Sequence, residues 1–288
     1  EVTHSKYGAK LLKNFLKICE VSHDWTMEKF FHELKQKLKE KIGNKNVFLF
    51  VSGGVDSSVA FSLLTKILGK DRVRGLFVDT GLLRKDEVLL VKKSLESIGT
   101  QLTVLEEKET FLGNLKDVFD PEEKREIIGN TFLEVQQKFF QQESLDDSWL
   151  LAQGTIYPDT IETGATKNSA KIKTHHNRVP EVQKLIDEGK VIEPLSDLYK
   201  DEVRALGALL KLPKELIWRH PFPGPGLGVR ILCNEKKQKL VGDDFLNLIK
   251  EDYVQLPIQS VGVQGDFRTY RNPAVLLQKD FNVEALEA

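Results

Sequence analysis

Short apolar runs alternate along the chain with amphipathic segments of helical spacing. The apolar runs predict strands, at 47–51, 73–78, 101–105, 149–152 and 191–194. The helical periodicity predicts helices, at 27–41, 55–68, 85–98, 121–142 and 200–210. Strands that alternate with helices imply a parallel, doubly wound α/β sheet with right-handed crossovers. We therefore expect one α/β domain over residues 26–218.

The two flanks of this domain follow different patterns. Leu11, Phe15 and Ile18 have helical spacing, so residues 1–25 should include a helix that packs against another surface. Residues 219–227 are dense in proline and glycine, which excludes a helix or a central strand. They are either a rigid linker or a domain boundary, and we place the boundary there.

Beyond this boundary we expect a partial, smaller α+β domain over residues 219–288. Its predicted strands are at 228–232 and 257–263. The chain begins at Glu1 rather than Met, so we expect it to be a fragment or a processed form of a longer protein.

Composition limits the classes of protein that need to be considered. The chain has 288 residues, of which 40% are hydrophobic and 30% charged, and its net charge is -1. This balance is ordinary for a soluble protein and gives no support for one that coats a polyanion. Cys19 and Cys233 form neither a disulfide framework nor a metal-ligand spacing. No signal peptide or apolar run of membrane-spanning length is visible, so we expect a cytoplasmic protein.

The chemistry of the chain centres on the turn after the first strand. Ser52-Gly53-Gly54 separates that strand from a helix beginning at Val55, which exposes unpaired amides at the positive end of a helix dipole. The hydroxyls of Ser52, Ser57 and Ser58 add donors, and we expect Gly53 to allow close approach of a phosphate. No lysine follows the glycines, so the turn is not the Gly-Lys-Ser/Thr nucleotide loop. The plainer alternative is a flexible Ser-Gly linker.

Several carboxylates are placed to join this anion site. Asp56 lies within the turn itself and suggests a metal ion that bridges to phosphate. Asp79 ends the second strand, where it either lines a nucleotide pocket or caps the strand end. Asp159 and Glu162, three residues apart, could hold Mg²⁺ on one face of a helical turn. The alternative is that these two carboxylates only stabilise the N-terminus of a helix through their negative charge.

The motif Ser-Gly-Gly-Val-Asp-Ser after a buried strand resembles the pyrophosphate loop of the ATP pyrophosphatases, a group with the adenine nucleotide alpha hydrolase-like fold. The group includes GMP, NAD, asparagine and argininosuccinate synthetases and tRNA-modifying enzymes, and the loop alone does not choose among them. The resemblance implies ATP as co-substrate and Mg²⁺ held by Asp56 and Asp159. It implies an ATP site made of Ser52, Gly53, Gly54, Val55, Asp56, Ser57, Ser58, Asp79 and Gly154.

Three further motifs are similar to those of the GMP synthetase family. They are Glu-Lys-Arg-x-Ile-Ile-Gly at 123–129, Leu-Ala-Gln-Gly-Thr-x-x-Pro-Asp at 151–159, and Ile-Lys-Thr-His-His-Asn at 172–177. The Pro-Gly phrase at 219–227 is also similar to the family's. The resemblance implies an XMP site of Arg125, Gly224, Pro225 and Asp266. It also implies a lid over 171–177 and a catalytic group of Asp56, Asp159, Glu162, Lys173, His175 and His176.

The resemblance also sets expectations about nitrogen supply and partners. Glu1-Val2-Thr3-His4 looks like the end of a glutamine amidotransferase domain, with Glu1 as the last member of a Cys-His-Glu triad. We expect that domain upstream or as a separate subunit, with XMP, ATP and ammonia or glutamine as substrates. A homodimer is expected, without nucleic acid or membrane. The chain departs from the family in a short 233–256 segment and in lacking a Lys-Pro-Pro segment near its C-terminus.

Two other functions remain open on the sequence. Another pyrophosphate-loop enzyme, such as a tRNA thiolase, would need catalytic cysteines and a basic RNA surface. A non-catalytic ATP-binding module would keep the loop and could lose the second-substrate motifs. The motif around Arg125 and the segments 171–177 and 219–227 argue against that module.

Overall fold

The computed structural model of the chain describes residues 5–231, apart from 23, 101, 144–145 and 165–179. Beyond residue 231 it describes Cys233 and short segments, at 249–250, 253–256, 260–264, 267–271 and 274–276.

A parallel five-stranded sheet forms the centre of the molecule, in the order β3-β2-β1-β4-β5. The strands are β1 (Asn46–Phe50), β2 (Val73–Asp79), β3 (Leu102–Glu106), β4 (Trp149–Ala152) and β5 (Val191–Ile192). In the central register, Val47 lies opposite Val73 on one side and Leu150 on the other. The parallel α/β sheet predicted from the alternating pattern is confirmed.

Helices surround this sheet at nearly the predicted positions. They are α1 (Gly8–Ile18), α2 (Met27–Ile42), α3 (Val55–Leu68), α4 (Glu87–Glu96), α5 (Lys108–Asn114), α6 (Pro121–Glu143), α7 (Tyr157–Gly164), α8 (Pro180–Asp187), α9 (Lys200–Leu209), α10 (Lys214–Ile217) and α11 (Leu227–Arg230). The predicted helix 55–68 coincides with α3, because Gly54 and Gly69 delimit it on both sides. No helix of the described residues is long and apolar enough to span a bilayer.

Apolar side chains cover both faces of the sheet, which is why the strands read as continuous apolar runs. On one face α2, α3 and α9 contribute Leu38, Leu63 and Leu206 to a single buried cluster. On the other face α6 contributes Phe139 and Phe140 to a second cluster around Phe48 of β1. The Phe48 and Phe140 rings pack edge to face with centroids 5.4 Å apart. Packing on both faces therefore fixes the positions of the loops that follow the carboxyl ends of the strands.

The strand order reverses between β1 and β4, because the chain adds β2 and β3 on one side of β1 and β4 and β5 on the other. In open α/β sheets ligands bind at such a switch point, outside the carboxyl ends of the strands. The Ser-Gly turn leaves β1 there, and the Gln153–Ile156 stretch leaves β4 there.

Of two predictions about the flanks, one is wrong. The helix predicted within residues 1–25 is present as α1, but Leu11, Phe15 and Ile18 are exposed, so its packing against another surface remains a prediction. The strand predicted at 228–232 is instead the helical turn α11, because the Leu227 amide is bound to the Leu82 carbonyl and Gly226 adopts φ +61°.

The short strands beyond α11 are antiparallel. They are β6 (Ile249–Lys250), β7 (Tyr253–Gln255), β8 (Ser260–Gln264), β9 (Phe267–Arg271) and β10 (Ala274–Leu276). β10, β7 and β6 pair in one small sheet, and β8 and β9 form a hairpin. β8 overlaps the strand predicted at 257–263, whose first three residues lie outside the described residues. The boundary at 219 remains a prediction.

Candidate nucleotide-binding site

The phosphate loop, residues 52–58, connects β1 to the first turn of α3. The first backbone hydrogen bond of the helix runs from the Ser58 amide to the Gly54 carbonyl, at 3.1 Å. The amides of Val55, Asp56 and Ser57 precede that bond and so have no acceptor within the helix. They lie at the positive end of the α3 dipole, which makes this turn a site for an anion.

Gly53 is required for the shape of this loop, for a reason that differs from the one the sequence suggested. Its φ of +74° is a conformation that residues with a side chain rarely adopt. A Cβ at this position would lie 3.1 Å from atoms of Phe77 and Val91 and 3.2 Å from Arg219. The Cβ position therefore points into the protein, so that backbone conformation and packing, rather than the approach of a phosphate, require glycine here.

The serines of the phosphate loop are tied into a local network. Ser57 Oγ accepts from the Ser52 amide at 3.1 Å and lies 3.1 Å from Ser52 Oγ. Ser52 Oγ in turn accepts from the Gly54 amide at 3.3 Å. Ser58 is fully buried, and its hydroxyl has no partner among the described residues. These bonds hold the loop open around the α3 N-terminus, while the predicted contacts of the three hydroxyls with phosphate remain predictions.

The turn after β4 lies directly against the phosphate loop. A Cβ on Gly154 would be 3.2 Å from the Ser57 amide nitrogen and 3.3 Å from Ser57 Cα. A side chain at 154 would therefore crowd the phosphate loop, and glycine lets the two backbones approach closely at the switch point. Asp159 follows in the first turn of α7, where its Oδ2 accepts from the Ile156 amide at 3.1 Å. Glu162 lies on α7, and its side chain is outside the described residues.

Asp56 forms an ion pair with a residue that the sequence did not single out. Lys200, the first residue of α9, places Nζ 2.8 Å from Oδ1 and 2.6 Å from Oδ2 of Asp56. Both side chains are partly exposed, so a bound ligand can reach them. The lysine adds a positive charge beside the α3 N-terminus, which strengthens the anion site.

Asp79, at the end of β2, is buried and bound from two sides. Its Oδ1 accepts from the Gly81 amide at 3.0 Å, and Lys108 Nζ lies 3.1 Å from Oδ2. The hydrogen bond from Lys108 to Asp79, together with the negative charge of Asp79, raises the pKa of the Lys108 ammonium above its ordinary value. The bond from the Gly81 amide supports the interpretation of Asp79 as a cap of the strand end. A contact between Asp79 and the nucleotide remains a prediction.

The proline-glycine segment, residues 219–227, is attached to the same edge of the sheet. Arg219 donates to the Gly53 carbonyl and to Glu87. Arg84 donates to the His220 carbonyl at 2.7 Å. A Cβ on Gly226 would lie 2.2 Å from the Leu82 carbonyl oxygen, so only glycine fits that contact. Gly224 and Pro225 belong to the turn that this contact holds.

The chain then passes from this segment to the start of α6. A Cβ on Gly228 would lie 2.7 Å from Ile128 Cδ1, so α11 packs closely on α6. Arg125 lies in the first turn of α6, where its guanidinium donates to Glu122 Oε1 at 3.0 Å. The segment therefore runs from the phosphate loop to the helix that carries Arg125.

The remaining predicted site residues lie outside the described residues. These are Lys173, His175 and His176 of the predicted lid, Asp266, and Glu1 of the predicted triad. Conversely, the sequence analysis missed Lys200 and Arg219 as site residues. The motif Lys-Asp-Glu-Val-Arg and the Arg at the head of the Pro-Gly phrase were the available signals.

Fold and loop together define the class of protein. A model of the NAD synthase family matches residues 26–131, which include the phosphate loop. The solved NMN synthetase of Francisella tularensis has the same fold, with a TM-score of 0.51 and 16% identity over 71% of this chain and 79% of that one. The fold that the motifs predict, of the NAD synthase-type ATP pyrophosphatases, is confirmed, and residues 26–131 match that family's model.

The curated relatives of higher identity are GMP synthases. A probable glutamine-hydrolysing GMP synthase of Leptospira interrogans is 50% identical over 98% of this chain and 48% of its own length. The GMP synthase of Thermosipho melanesiensis is 46% identical over 96% of this chain and 57% of its own length. The GMP synthase of Aquifex aeolicus is 42% identical over 96% of this chain and 56% of its own length. The resemblance to GMP synthetases is confirmed, and the chain spans about half the length of these relatives.

Proposed function

We propose that the chain is the synthetase portion of a GMP synthase, a ligase that forms a C–N bond. In the first step the C2 oxygen of XMP attacks the α-phosphorus of ATP, and pyrophosphate leaves. In the second step ammonia attacks C2 of adenylated XMP, AMP leaves, and GMP is formed. The observation that carries the proposal is the 50% identity to a GMP synthase over 98% of this chain.

The phosphate loop suits the leaving group of the first step. Negative charge accumulates on pyrophosphate as the bond to the α-phosphorus breaks. The free amides at the α3 N-terminus and the Lys200 ammonium are placed to stabilise that charge. No side-chain nucleophile is needed, because the attacking atom belongs to XMP.

Mg²⁺ is part of the proposal, and the donor set is compatible with it. Proteins commonly bind Mg²⁺ through one or two carboxylates together with substrate phosphates and water. Asp56 and Asp159 follow adjacent strands at the switch point, although Lys200 and the Ile156 amide already engage them. Among the described residues no cluster of three potential ligands is present, so phosphate oxygens would complete the coordination. When bound there, Mg²⁺ would neutralise charge on the phosphates.

We assign the XMP phosphate to Arg125. A guanidinium fork matches a phosphate dianion, and Glu122 already holds this one in a fixed direction. The proline-glycine segment would bound the nucleotide between Arg125 and the phosphate loop, with Gly224 and Pro225 at its turn. Asp266 remains part of the predicted XMP site.

The second step requires ammonia in its unprotonated form, since only NH₃ has a lone pair. The rate with ammonium salts should therefore rise with pH toward the ammonium pKa. The adenylated intermediate must be shielded from water, a role that we propose for the predicted lid with Lys173, His175 and His176. An amidotransferase domain or subunit as ammonia source, a homodimer and a cytoplasmic location complete the proposal.

Pyrophosphate release from ATP, measured with a panel of acceptor nucleotides, tests this function. XMP should support release, and IMP, AMP and UMP should not. Arg125→Met should raise the KM for XMP about tenfold, the value of one lost charge-assisted hydrogen bond, with little effect on the KM for ATP. Release that is independent of XMP, or equal with UMP, would instead favour another pyrophosphate-loop enzyme.

A further inference from the structure

The guanidinium of Arg219 connects three parts of the molecule that are far apart in sequence. It donates to the carbonyl of Gly53 in the phosphate loop and to Oε1 of Glu87 at the start of α4. Both side chains of the ion pair are buried, with 11% of Arg219 and 4% of Glu87 exposed. A surface ion pair would contribute little, but a buried pair that also binds a backbone carbonyl fixes the geometry of its neighbours.

Glu87 is itself held in place from the other side. Its second oxygen, Oε2, accepts from the Arg84 amide at 2.9 Å. Arg84 then donates through Nη2 to the carbonyls of His220 and Pro221, at 2.7 and 3.1 Å, and its guanidinium lies 4.5 Å from the centre of the Phe222 ring. The carboxylate of Glu87 is therefore a fixed acceptor that sets the direction of the Arg219 fork.

The bond to the Gly53 carbonyl has a consequence on the opposite side of the same peptide. In a trans peptide the C=O and the following N–H point in opposite directions, and the described backbone has no cis peptide. The Gly53 carbonyl points to Arg219. The Gly54 amide therefore points to the other side of the peptide, where it donates to Ser52 Oγ. Glycine at 53 offers little resistance to rotation of this peptide, so an external contact must fix it.

We propose that Arg219, oriented by Glu87, is a positioning residue that holds the Gly53–Gly54 peptide with its amide facing the nucleotide phosphates. This inference rests on the proposed function in one respect: the phosphates are taken to be those of ATP. Among the described residues, the hydrogen bonds of the Arg219 side chain go to protein groups, the Gly53 carbonyl and Glu87. Its effect on catalysis is therefore exerted through the loop.

The test is Mg-ATP binding by calorimetry, together with thermal unfolding of the same proteins. Arg219→Met should weaken ATP binding by at least about tenfold, because the Gly53 carbonyl loses the charged donor that orients its peptide. Arg219→Lys should recover little of this loss, since one ammonium lacks the planar fork that serves two acceptors. Arg74→Met is the matched control: it removes the ion pair of Arg74 with Glu143 near the amino end of β2 and should leave ATP affinity unchanged.

A double variant separates positioning from simple stability. Arg219→Met leaves the Glu87 charge buried without its partner and should lower the unfolding temperature. Adding Glu87→Gln removes that charge and should restore much of the stability, while ATP affinity stays low. Recovery of affinity together with stability in the double variant would overturn the proposal, as would wild-type affinity in Arg219→Met.

The same measurements keep this inference distinct from the proposed function. If the wild-type chain binds Mg-ATP but releases no pyrophosphate with XMP, the GMP synthase assignment is contradicted. The ATP affinities of the Arg219 variants still test the role of Arg219. Wild-type chain that fails to bind Mg-ATP would contradict both.

Discussion

Lys200 at the start of α9 and Asp56 in the first turn of α3 form an ion pair across the phosphate loop, with Nζ 2.6 and 2.8 Å from the two carboxylate oxygens. The pair places one cation and one candidate metal ligand at the same helix N-terminus. Phosphate and metal would both compete for these groups, because the ammonium can turn to the phosphate and the carboxylate to the metal.

Replacement of Lys200 should therefore change the ATP and Mg²⁺ dependences in opposite directions. Lys200→Met should raise the KM for ATP about tenfold, as expected for one charge-assisted hydrogen bond. It should also lower the Mg²⁺ concentration for half-maximal pyrophosphate release, because Asp56 loses its competing cation. Asp56→Asn should raise that concentration.

Lys190→Met is the control for this comparison. Lys190 also pairs with carboxylates, those of Asp147 and Glu188, but it precedes β5 at the amino end of the sheet. Its variant should keep the wild-type KM for ATP. An unchanged KM and Mg²⁺ dependence in Lys200→Met would show that the ion pair has no part in nucleotide binding.

The two glycines of the phosphate loop should respond differently to alanine. Gly53→Ala requires a side chain at φ +74°, which costs about 1–2 kcal/mol, and it crowds Phe77 and Val91. Gly54 has φ -70°, so that Gly54→Ala meets only Ser52 Oγ, at 3.3 Å. Gly53→Ala should lower both the affinity for ATP and the unfolding temperature. Gly54→Ala should lower each of them less. Equal effects in calorimetry and thermal unfolding would contradict the described loop geometry.

A glycine pair outside the site tests the packing of the sheet. A Cβ on Gly75 of β2 would lie 2.6–2.9 Å from ring atoms of the buried Phe61, so Gly75→Ala should destabilise the fold by about 1–3 kcal/mol. Gly129 of α6 has open space around its Cβ position, so Gly129→Ala should stabilise the helix by up to about 1 kcal/mol. Urea unfolding of both variants measures the difference, and the same sign for both would contradict the model of the core.

The fold and the loop were predictable from sequence because both depend on local patterns. Each strand is one short apolar run, and Gly53, Gly54 and Gly69 delimit the helix that directly follows β1. Lys200 and Arg219 were not predicted because they reach the phosphate loop from 144 and 166 residues away. A lysine at a helix start and an arginine two residues before a proline do not by themselves show which distant residues they contact.

The wrong strand at 228–232 has a similar cause. A short apolar run does not distinguish a strand from a helical turn. The outcome depends on the bond between the Leu227 amide and the Leu82 carbonyl, a contact between distant parts of the chain. Likewise, the apolar spacing of α1 predicted a helix correctly but could not show which surface its apolar side packs against.

The transfer of an isotope tests the central claim most directly. XMP labelled with ¹⁸O at C2 is incubated with ATP, Mg²⁺ and ammonium salt, and the products are analysed by mass spectrometry. If the C2 oxygen attacks the α-phosphorus, the label must appear in the phosphate of AMP, one atom for each GMP formed. AMP without label, or label retained in the purine product, would contradict the proposed adenylation of XMP.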